Sequence, residues 1–552
     1  MFKKWICFVF ALVFCLGSVA SADVLMNSQQ YPVSNEKVEL SFYVATTNTG
    51  SAEPTDDQYA IVKMEELTNV HINWEFVTGS TDQIAQRTNL KFASNVLPDV
   101  FVANLTKSMQ MQYGAAGLII PLNDLIDQYG VNIKQVFEDM PDVKAAFTAP
   151  DGNIYGLGSI NQFYHGVYPC KMWVNKTWLD KLNLEVPKTT EEFKNMLIAF
   201  RDQDPNGNGI ADEIPLAAHG DHIYTYLMNA FIYTAPGSDA WANNPGLCYV
   251  EDGKIVFAGD KEAFRQGLKY INDLFNEGLI AADTLSMDST QLKALGMAET
   301  PVLGASSELF AGEFTTGREE GSRYWDYVSI PPLTGPEGVC AAPERLFTFS
   351  GSQFSISKDC KNPEAALRWI DYLFSVEGTA NMVYGKYYDE YDPAKTGWTW
   401  GKEGEVGADG KPAVWMRFMS NLPATDPNYP ATSGWGQSVL PMYSPLWAHT
   451  GQTILKKEFN NDMWLYSQTA ENYAPYGVNK TIPDMFVPDE IITEFAELKT
   501  IIEAETQNWM ATFAMGITSL EDDWAIYVDT LNQYGLQRYL ELYQQIYDAN
   551  FQ

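Results

Sequence analysis

The chain has 552 residues and a formal net charge of −34, with 36 Lys and Arg against 70 Asp and Glu. Such an acidic surface repels phosphate backbones and anionic lipids, so nucleic acid and membrane surfaces are disfavoured as partners. Hydrophobic residues make up 46% of the chain and charged residues only 19%. This composition excludes a disordered protein, and the length predicts two or more folded lobes.

The N-terminus has the pattern of a cleaved export signal. Lys3 and Lys4 form a short basic segment, residues 5–17 are apolar and uncharged, and residues 20–22 give the small-x-small pattern that a signal peptidase accepts. The apolar run is shorter than the roughly 20 residues that a spanning helix needs. We therefore expect residues 1–22 to be a signal peptide removed after Ala22, rather than a retained membrane anchor.

The cysteines bear on anchoring and on cross-linking. Cys15 follows the bulky pair Val13 and Phe14, which disfavours a lipid anchor because lipid attachment favours small residues before the cysteine. Export permits disulfides, and the four cysteines that remain after cleavage allow three pairings, among which the spacing does not choose. These cysteines are Cys170, Cys248, Cys340 and Cys360.

Alternation and periodicity of apolar residues predict the first elements. Strands are expected over 38–45, 70–77 and 99–103, and helices over 60–68 and 82–94. Strands that alternate with helices are typical of an α/β layer with a parallel sheet.

Helical periodicity dominates the rest of the chain. A capping box formed by Thr189 and Glu192 opens one predicted helix, and a short strand over 154–158 follows an Asp-Gly turn. The stretch 384–415 has weak periodicity and is interpreted as an irregular excursion. The predicted helices cover 191–201, 263–277, 363–374 and most of 489–550.

A loop beginning at Asp204 has the spacing of an EF-hand-like calcium site. Oxygen-bearing side chains occupy positions 1, 3, 5 and 9, and Gly209 at position 6 permits a sharp turn. Position 12 is Pro215, so a carboxylate at position 10 would have to supply the bidentate ligand. The alternative is an Asn/Gly turn without an ion. The predicted ligands are the side chains of Asp204, Asn206, Asn208, Asp212 and Glu213 and the main-chain carbonyl of Ile210.

Catalytic signatures are weak, and we predict no catalytic residue. The spacing of His219 and His222 could place both on one helical face, but the sequence indicates no third ligand for zinc. The chain has no Gly-x-Ser-x-Gly elbow, phosphate loop or His-Glu-x-x-His motif. Carboxylate pairs are numerous, and sequence cannot measure the separation that glycoside hydrolysis requires.

Several segments together resemble extracellular solute-binding proteins of carbohydrate ABC importers. They include Leu-Pro-Asp-Val-Phe, Asp-Gly-Asn-Ile-Tyr-Gly and Asp-Pro-Asn-Gly-Asn-Gly, the last resembling the calcium loop of an alginate-oligosaccharide-binding subgroup. The resemblance spans most of the chain and is weakest over 384–415. Its segments are 97–101, 117–122, 151–156, 178–193, 204–215, 276–280, 331–338, 361–378 and 513–536.

The resemblance implies an α/β, periplasmic-binding-protein type II fold with two lobes, a hinge and an interlobe ligand cleft. The expected crossings between the lobes lie near 157–167, 297–303 and 347–354. The expected N-terminal lobe comprises 23–160 and 303–350, and the expected C-terminal lobe comprises 161–302 and 351–552.

The resemblance also implies a function outside the cytoplasm. We expect a monomeric binding protein that captures an oligosaccharide, delivers it to the membrane permease of an ABC importer and holds one structural Ca²⁺. An exported glycan-degrading enzyme is the main alternative, and a surface adhesion module without a hinge is a third. Aromatic platforms and hydrogen-bonding side chains suit sugars. The expected ligand contacts are Asn161, Phe163, Tyr164, His165, Trp241, Ser307, Glu308 and Trp435.

Overall fold

The computed structural model describes most of the chain, which forms two main β-sheets. The larger sheet has six strands and the smaller has four. The described residues are 31–46, 58–94, 96–236, 247–317, 319–345, 348–392, 395–418, 440–453 and 461–551.

The strands of these sheets and of three two-stranded pairs are, in chain order, β1 (Val38–Thr46), β2 (Val70–Thr78), β3 (Val100–Ala103), β4 (Leu157–Asn161), β5 (Met172–Asn175), β6 (Ile214–Ala217), β7 (Cys248–Glu251), β8 (Lys254–Phe257), β9 (Leu303–Ser307), β10 (Tyr327–Ile330), β11 (Ala342–Pro343), β12 (Thr348–Ile356), β13 (Gly397–Trp400), β14 (Trp415–Phe418), β15 (Tyr443–Ser444) and β16 (Gly477–Val478). The strand order is β15-β4-β12-β3-β1-β2 in the larger sheet and β10-β5-β9-β6 in the smaller.

The α-helices that pack around them are α1 (Tyr59–Thr68), α2 (Thr81–Ala93), α3 (Lys107–Ala115), α4 (Asn123–Tyr129), α5 (Asn132–Asp139), α6 (Pro141–Phe147), α7 (Tyr164–Val167), α8 (Lys176–Leu182), α9 (Thr190–Asp202), α10 (His222–Leu227), α11 (Glu262–Asn276), α12 (Ser289–Gly296), α13 (Pro363–Leu373), α14 (Val376–Tyr384), α15 (Leu446–Thr450), α16 (Asn461–Asn472), α17 (Ile492–Ala514), α18 (Trp524–Gln533) and α19 (Leu536–Phe551).

The predicted α/β layering at the start of the chain is confirmed. Strand β1 pairs in parallel with both β2 and β3, and helices α1 and α2 connect them. Helix α2 begins at a capping box that Ser80 forms with Gln83, which satisfies two orphan N–H groups of the first turn. Strand β12 then pairs antiparallel with β3 and β4, so the complete sheet is mixed.

The smaller sheet differs from the lobe division that we expected. Strands β9 and β10, within the segment 303–350 assigned to the N-terminal lobe, both pair with β5 of the smaller sheet. Helix α13, assigned to the C-terminal lobe, packs on the larger sheet, where Trp369 lies 5.2 Å from Phe42 between ring centroids. Segment 297–303 therefore joins α12 to β9 within one unit. Local sequence motifs do not reveal to which of the two sheets a later strand belongs.

Each main sheet is covered by helices and has its own apolar core. The core beside the larger sheet draws on residues from 33–160 and 354–442. The core beside the smaller sheet draws on 167–342 and 473–546, including Phe513 of α17 and Tyr539 of α19. The long helices α17 to α19 confirm the helical tail, and they bury apolar faces against α11 and the β7–β8 pair.

The stretch 384–415 contributes to a strand pair that the sequence did not indicate. Strands β13 and β14 pair antiparallel, and Trp398 and Trp415 are almost fully buried in a small core with Ala380 and Ala448. The indole N–H of Trp398 donates to the Asn381 side chain at 3.1 Å. The described rest of the stretch is irregular, as the sequence indicated, and the buried rings pack against helices α14 and α15.

The four cysteines are free thiols in the structure. Cys170 and Cys248 are buried, and Cys340 and Cys360 are partly buried. Burial raises the pKa of each thiol, so the four groups are poor nucleophiles at neutral pH. In the part of the chain that the structure describes, no helix combines the length and apolarity required to cross a membrane.

Candidate ligand-binding site

A cavity of about 270 Å³ lies between elements that pack on the two main sheets. One wall comes from the edge of the larger sheet, where β15 pairs in parallel with β4. The opposite wall includes α16, which packs against β10 of the smaller sheet through the Gln468 amide, a hydrogen-bond acceptor for the Ser329 N–H at 2.8 Å. The lining residues are Ser159, Ile160, Asn161, Phe163, Tyr164, His165, Val383, Tyr384, Arg417, Met442, Ser444, His449, Gln452, Asp462 and Tyr466.

Aromatic rings form much of this wall. Tyr164 of α7 stacks on Tyr466 of α16, with ring centroids 4.7 Å apart and planes inclined by 29°. Phe163 packs edge-on against His165, and the Arg417 guanidinium lies 5.0 Å from the centre of the Tyr384 ring. Burial raises the pKa of Tyr164 to about 12. The tyrosine hydroxyls therefore stay protonated and can donate and accept hydrogen bonds.

A hydrogen-bonded histidine sits beside these rings. His449 Nε2 lies 2.8 Å from Ser444 Oγ and 3.2 Å from Asn161 Oδ1. Burial lowers the pKa of His449 to about 4, so the imidazole is neutral at physiological pH. Asn161 and Ser444 are adjacent because β4 and β15 run in register, with Ser444 opposite Asn161. Neutral donors and acceptors at a strand edge suit the hydroxyl rim of a sugar.

The structure brings together four of the predicted ligand contacts. Asn161, Phe163, Tyr164 and His165 all line the cavity, because β4 ends there and α7 follows immediately. Their contact with a ligand stays a prediction. The sequence analysis missed the other lining groups, of which Tyr384, Arg417, His449, Asp462 and Tyr466 carry polar chemistry. Their positions depend on long-range packing, and no local motif marks them.

Two of the remaining predicted contacts lie away from the cavity, and two fall outside the described residues. Ser307 and Glu308 are fully buried at the end of β9 and are absent from the cavity lining. The Ser307 hydroxyl donates to the main-chain carbonyl of His222 at 2.9 Å. Trp241 and Trp435 lie outside the described residues, so their contact with a ligand stays a prediction.

The predicted calcium loop is a tight turn closed by hydrogen bonds to the Asp204 and Asp212 carboxylates. Asp204 accepts hydrogen bonds from the N–H groups of Gly207 and Gly209 at 2.8 and 3.1 Å, which curls the loop around its carboxylate. Both glycines have positive φ angles, of 78° and 74°, which residues with a side chain rarely adopt. Asn206 and Asn208 turn their amide N–H groups towards Asp212.

Glu213 is the most informative member of this loop. Both of its carboxylate oxygens are buried, and neither has a hydrogen-bond partner among the described residues. A buried carboxylate without partners is costly, whereas a bidentate bond to a calcium ion would satisfy both oxygens. The residues present therefore fit a calcium ion, with Glu213 in the role that position 12 has in an EF-hand.

A second group of ionisable side chains lies at the end of β6 and β9. The ligand atoms of His219, His222 and Glu308 all lie within 4.8 Å of one another. Burial raises the pKa of Glu308 to about 7. Burial, together with the hydrogen bond to Glu308 and the charge of that side chain, raises the pKa of Glu313 to about 9. The sequence indicated no third partner for the two histidines, and the fold supplies Glu308.

Two α/β units, each built around its own sheet, with a polar and aromatic cavity between them, define a binding protein of the periplasmic type II fold. The chain belongs to the bacterial extracellular solute-binding protein family, whose model matches residues 50–380. The predicted family and fold class are thereby confirmed.

Among characterised relatives, the chain is similar to the fructooligosaccharide ABC transporter substrate-binding protein FusA of Streptococcus pneumoniae serotype 4. They share 28% identity over 550 residues, 96% of this chain and 94% of FusA. The structure of S. pneumoniae FusA with kestose superposes with a TM-score of 0.68 at 26% identity, covering 92% of this chain and 99% of that chain. Another FusA structure is described as an EF-hand mutant in complex with fructo-nystose.

Two more distant structures share the fold. An HMO-binding solute-binding protein from Bifidobacterium longum infantis has a TM-score of 0.71 at 23% identity, covering 93% of this chain and 99% of that chain. The alginate-binding protein AlgQ2 without calcium ion has a TM-score of 0.61 at 21% identity, with the same coverage.

Proposed function

We propose that the chain captures an oligosaccharide in the cavity between its two sheets and delivers it to the membrane permease of an ABC importer. The observation that carries this proposal is the cavity itself, with stacked tyrosines beside neutral hydrogen-bonding groups. Aromatic faces cover the CH surfaces of a sugar while amide, hydroxyl and imidazole groups bond its hydroxyls. Family membership and the similarity to FusA support transport as the context.

The charges that line the cavity favour a neutral sugar over a uronate. Arg417 and Asp462 carry opposite charges, and burial keeps His449 neutral. The whole chain carries a net charge of −34, which disfavours a polyanion further. A fructooligosaccharide, the ligand class named for FusA, is therefore the first ligand to test, and an alginate oligosaccharide is the contrasting one.

Binding without catalysis is part of the proposal. Among the described residues that line the cavity, Asp462 is the sole carboxylate. Most glycosidases act with two carboxyl groups on opposite sides of the scissile bond. We expect the sugar to be released unchanged, as family membership supports, and the appearance of new reducing ends in a purified preparation would contradict this.

Three further features complete the proposal. A calcium ion held by the 204–213 loop would stabilise the unit around the smaller sheet. Residues 1–22 would direct export and be removed, leaving an unanchored protein. The two units would comprise roughly 31–161 with 348–453, and 167–345 with 461–551, and would close around the ligand because a sugar that touches both favours the closed arrangement.

Titration calorimetry with kestose and with an alginate trisaccharide tests the binding site. We expect Tyr466→Ala to weaken kestose binding by about 1–3 kcal/mol, by analogy with base stacking on aromatic rings. Tyr534→Ala is the control, because Tyr534 is exposed at the end of α18 and away from the cavity. Equal affinities for the two variants would reject this cavity, and tighter binding of alginate would reject the neutral-sugar assignment.

A further inference from the structure

Two parallel strands bring three metal-binding side chains to one place. Strands β6 and β9 pair in parallel, with Ala217 opposite Ser306. His219 and Glu308 each follow two residues after those partners, so they emerge side by side at the carboxyl edge of the smaller sheet. His222 begins α10 one turn later, and its N–H donates to the His219 carbonyl at 3.2 Å.

Short contacts hold these side chains against one another. Glu308 Oε1 accepts the main-chain N–H of His219 at 2.9 Å, and Glu308 Oε2 lies 2.8 Å from His222 Nδ1. The two imidazole rings lie 4.8 Å apart between centroids. Glu308 is fully buried and His222 is nearly so. The main chain at Glu308 is fixed as well, because its carbonyl accepts the Trp173 indole N–H at 2.9 Å.

Carboxylates outnumber cations around the two imidazoles. The acidic groups near them are Asp221, Asp288, Glu308 and Glu313, and the Glu308 side chain is hydrogen-bonded to Glu313. Lys171 is a cationic group that interacts electrostatically with Glu313, and its ammonium donates hydrogen bonds to the carbonyls of His165 and Tyr168. A buried carboxylate normally has a cationic partner or binds a metal.

We propose that His219, His222 and Glu308 form a binding site for a zinc-class divalent transition metal, distinct from the calcium loop. Two imidazole nitrogens and one carboxylate are a ligand set that proteins use for zinc, with a fourth position left for water or another group. Glu313 is placed to provide that group through its contact with Glu308. Imidazole ligands disfavour calcium and magnesium, which select oxygen.

The three ligand atoms are close enough to converge on one ion. They lie within 4.8 Å of one another, whereas bonds of about 2.0–2.1 Å in a tetrahedron hold ligands about 3.4 Å apart. Side-chain rotation would bring the atoms to that spacing, and it would part Glu308 Oε2 from His222 Nδ1, now 2.8 Å apart, if both bind the ion. The ion would also fix the turn after β9, where Phe310 packs 6.2 Å from the cavity residue His165.

Zinc titration of the purified full-length mature protein tests the proposal. After treatment with a chelator, the protein is loaded with calcium, so that the 204–213 loop is occupied, and zinc is added in competition with a chromophoric chelator. We expect one zinc ion per chain, and Glu308→Gln and His222→Gln to weaken its binding more than about tenfold, since even residues that only orient a ligand contribute 10–100-fold. Cobalt(II) should bind in the same place and give the strong visible absorption of a tetrahedral site.

His71→Gln is the matched control, because His71 forms a similar contact with Glu65, at 2.7 Å, but belongs to the larger sheet. It should leave zinc binding unchanged. Calcium-dependent melting of each variant reports that it is folded. Equal zinc affinity in the wild type, Glu308→Gln and His222→Gln would overturn the proposal. So would loss of kestose binding in both variants with zinc binding retained, which would make the cluster a sugar contact.

Discussion

The stability of the calcium loop provides the sharpest test of how the fold uses a bound ion. Glu213 holds two buried oxygens that have no hydrogen-bond partner in the described part of the chain, and each such group costs about 1–3 kcal/mol when it is left unsatisfied. A calcium ion that binds only the folded loop removes this cost. At a free concentration 100 times its dissociation constant, the ion stabilises the folded state by about 2.7 kcal/mol.

This free energy corresponds to a measurable shift in melting temperature. For a unit of 150–250 residues, 1 kcal/mol corresponds to about 2–4 °C. The unit that contains the loop is slightly larger, so the lower value applies, and calcium should raise its melting temperature by about 5 °C. Differential scanning calorimetry of the purified protein, in excess calcium and in excess chelator, measures the shift. Magnesium in place of calcium should give a smaller shift, because it accommodates this flexible oxygen cage poorly.

Two variants separate the ion from general effects of charge. Glu213→Gln keeps the shape of the side chain but removes the bidentate carboxylate, so less than half of the calcium shift should remain. Glu185→Gln removes an exposed carboxylate outside the loop and should behave as the wild type does. A wild-type melting temperature indifferent to chelation, or a full calcium response in Glu213→Gln, would refute the reasoning.

Three other predictions address the cavity and the cores. The pKa of His449 is lower in the folded than in the unfolded state, so unfolding takes up a proton between about pH 4 and 6.5, and the free energy of unfolding falls on acidification through that window. Denaturant melts at several pH values should show a shallower fall in His449→Gln than in the wild type. An identical pH dependence in the two proteins would contradict burial as the cause. Trp398→Ala should lower the free energy of unfolding by about 3–5 kcal/mol, and Trp400→Ala, on an exposed ring of the same strand, by far less; equal losses in denaturant titration would contradict the packing account. Small-angle scattering should give a smaller radius of gyration with saturating kestose, and an unchanged radius would reject closure around the ligand.

Local signals were sufficient to predict most of the helices and strands of the first part of the chain. Strand pairing and most of the cavity lining could not be predicted, because they depend on long-range packing. The capping box at Thr189 and Glu192 forms as predicted, because it depends on residues three apart. The loop at Asp204 likewise folds as its spacing indicates. Arg417 and Tyr466 reach the cavity from distant segments, and their positions depend on contacts that no short window contains. The pairing of β9 and β10 with β5 was missed for the same reason.

The core beside the smaller sheet has a consequence for how the chain acquires its structure during synthesis. It combines residues 167–342 with residues 473–546, which emerge from the ribosome long afterwards. Until α19 arrives, the apolar surfaces that will meet Phe495 and Tyr539 have no cover, and contacts between such remote segments form slowly. A nascent chain therefore exposes a large apolar surface until residues 473–546 are made. This favours a holding chaperone for the newly made chain and makes helices α17 to α19 a requirement for the folding of this unit.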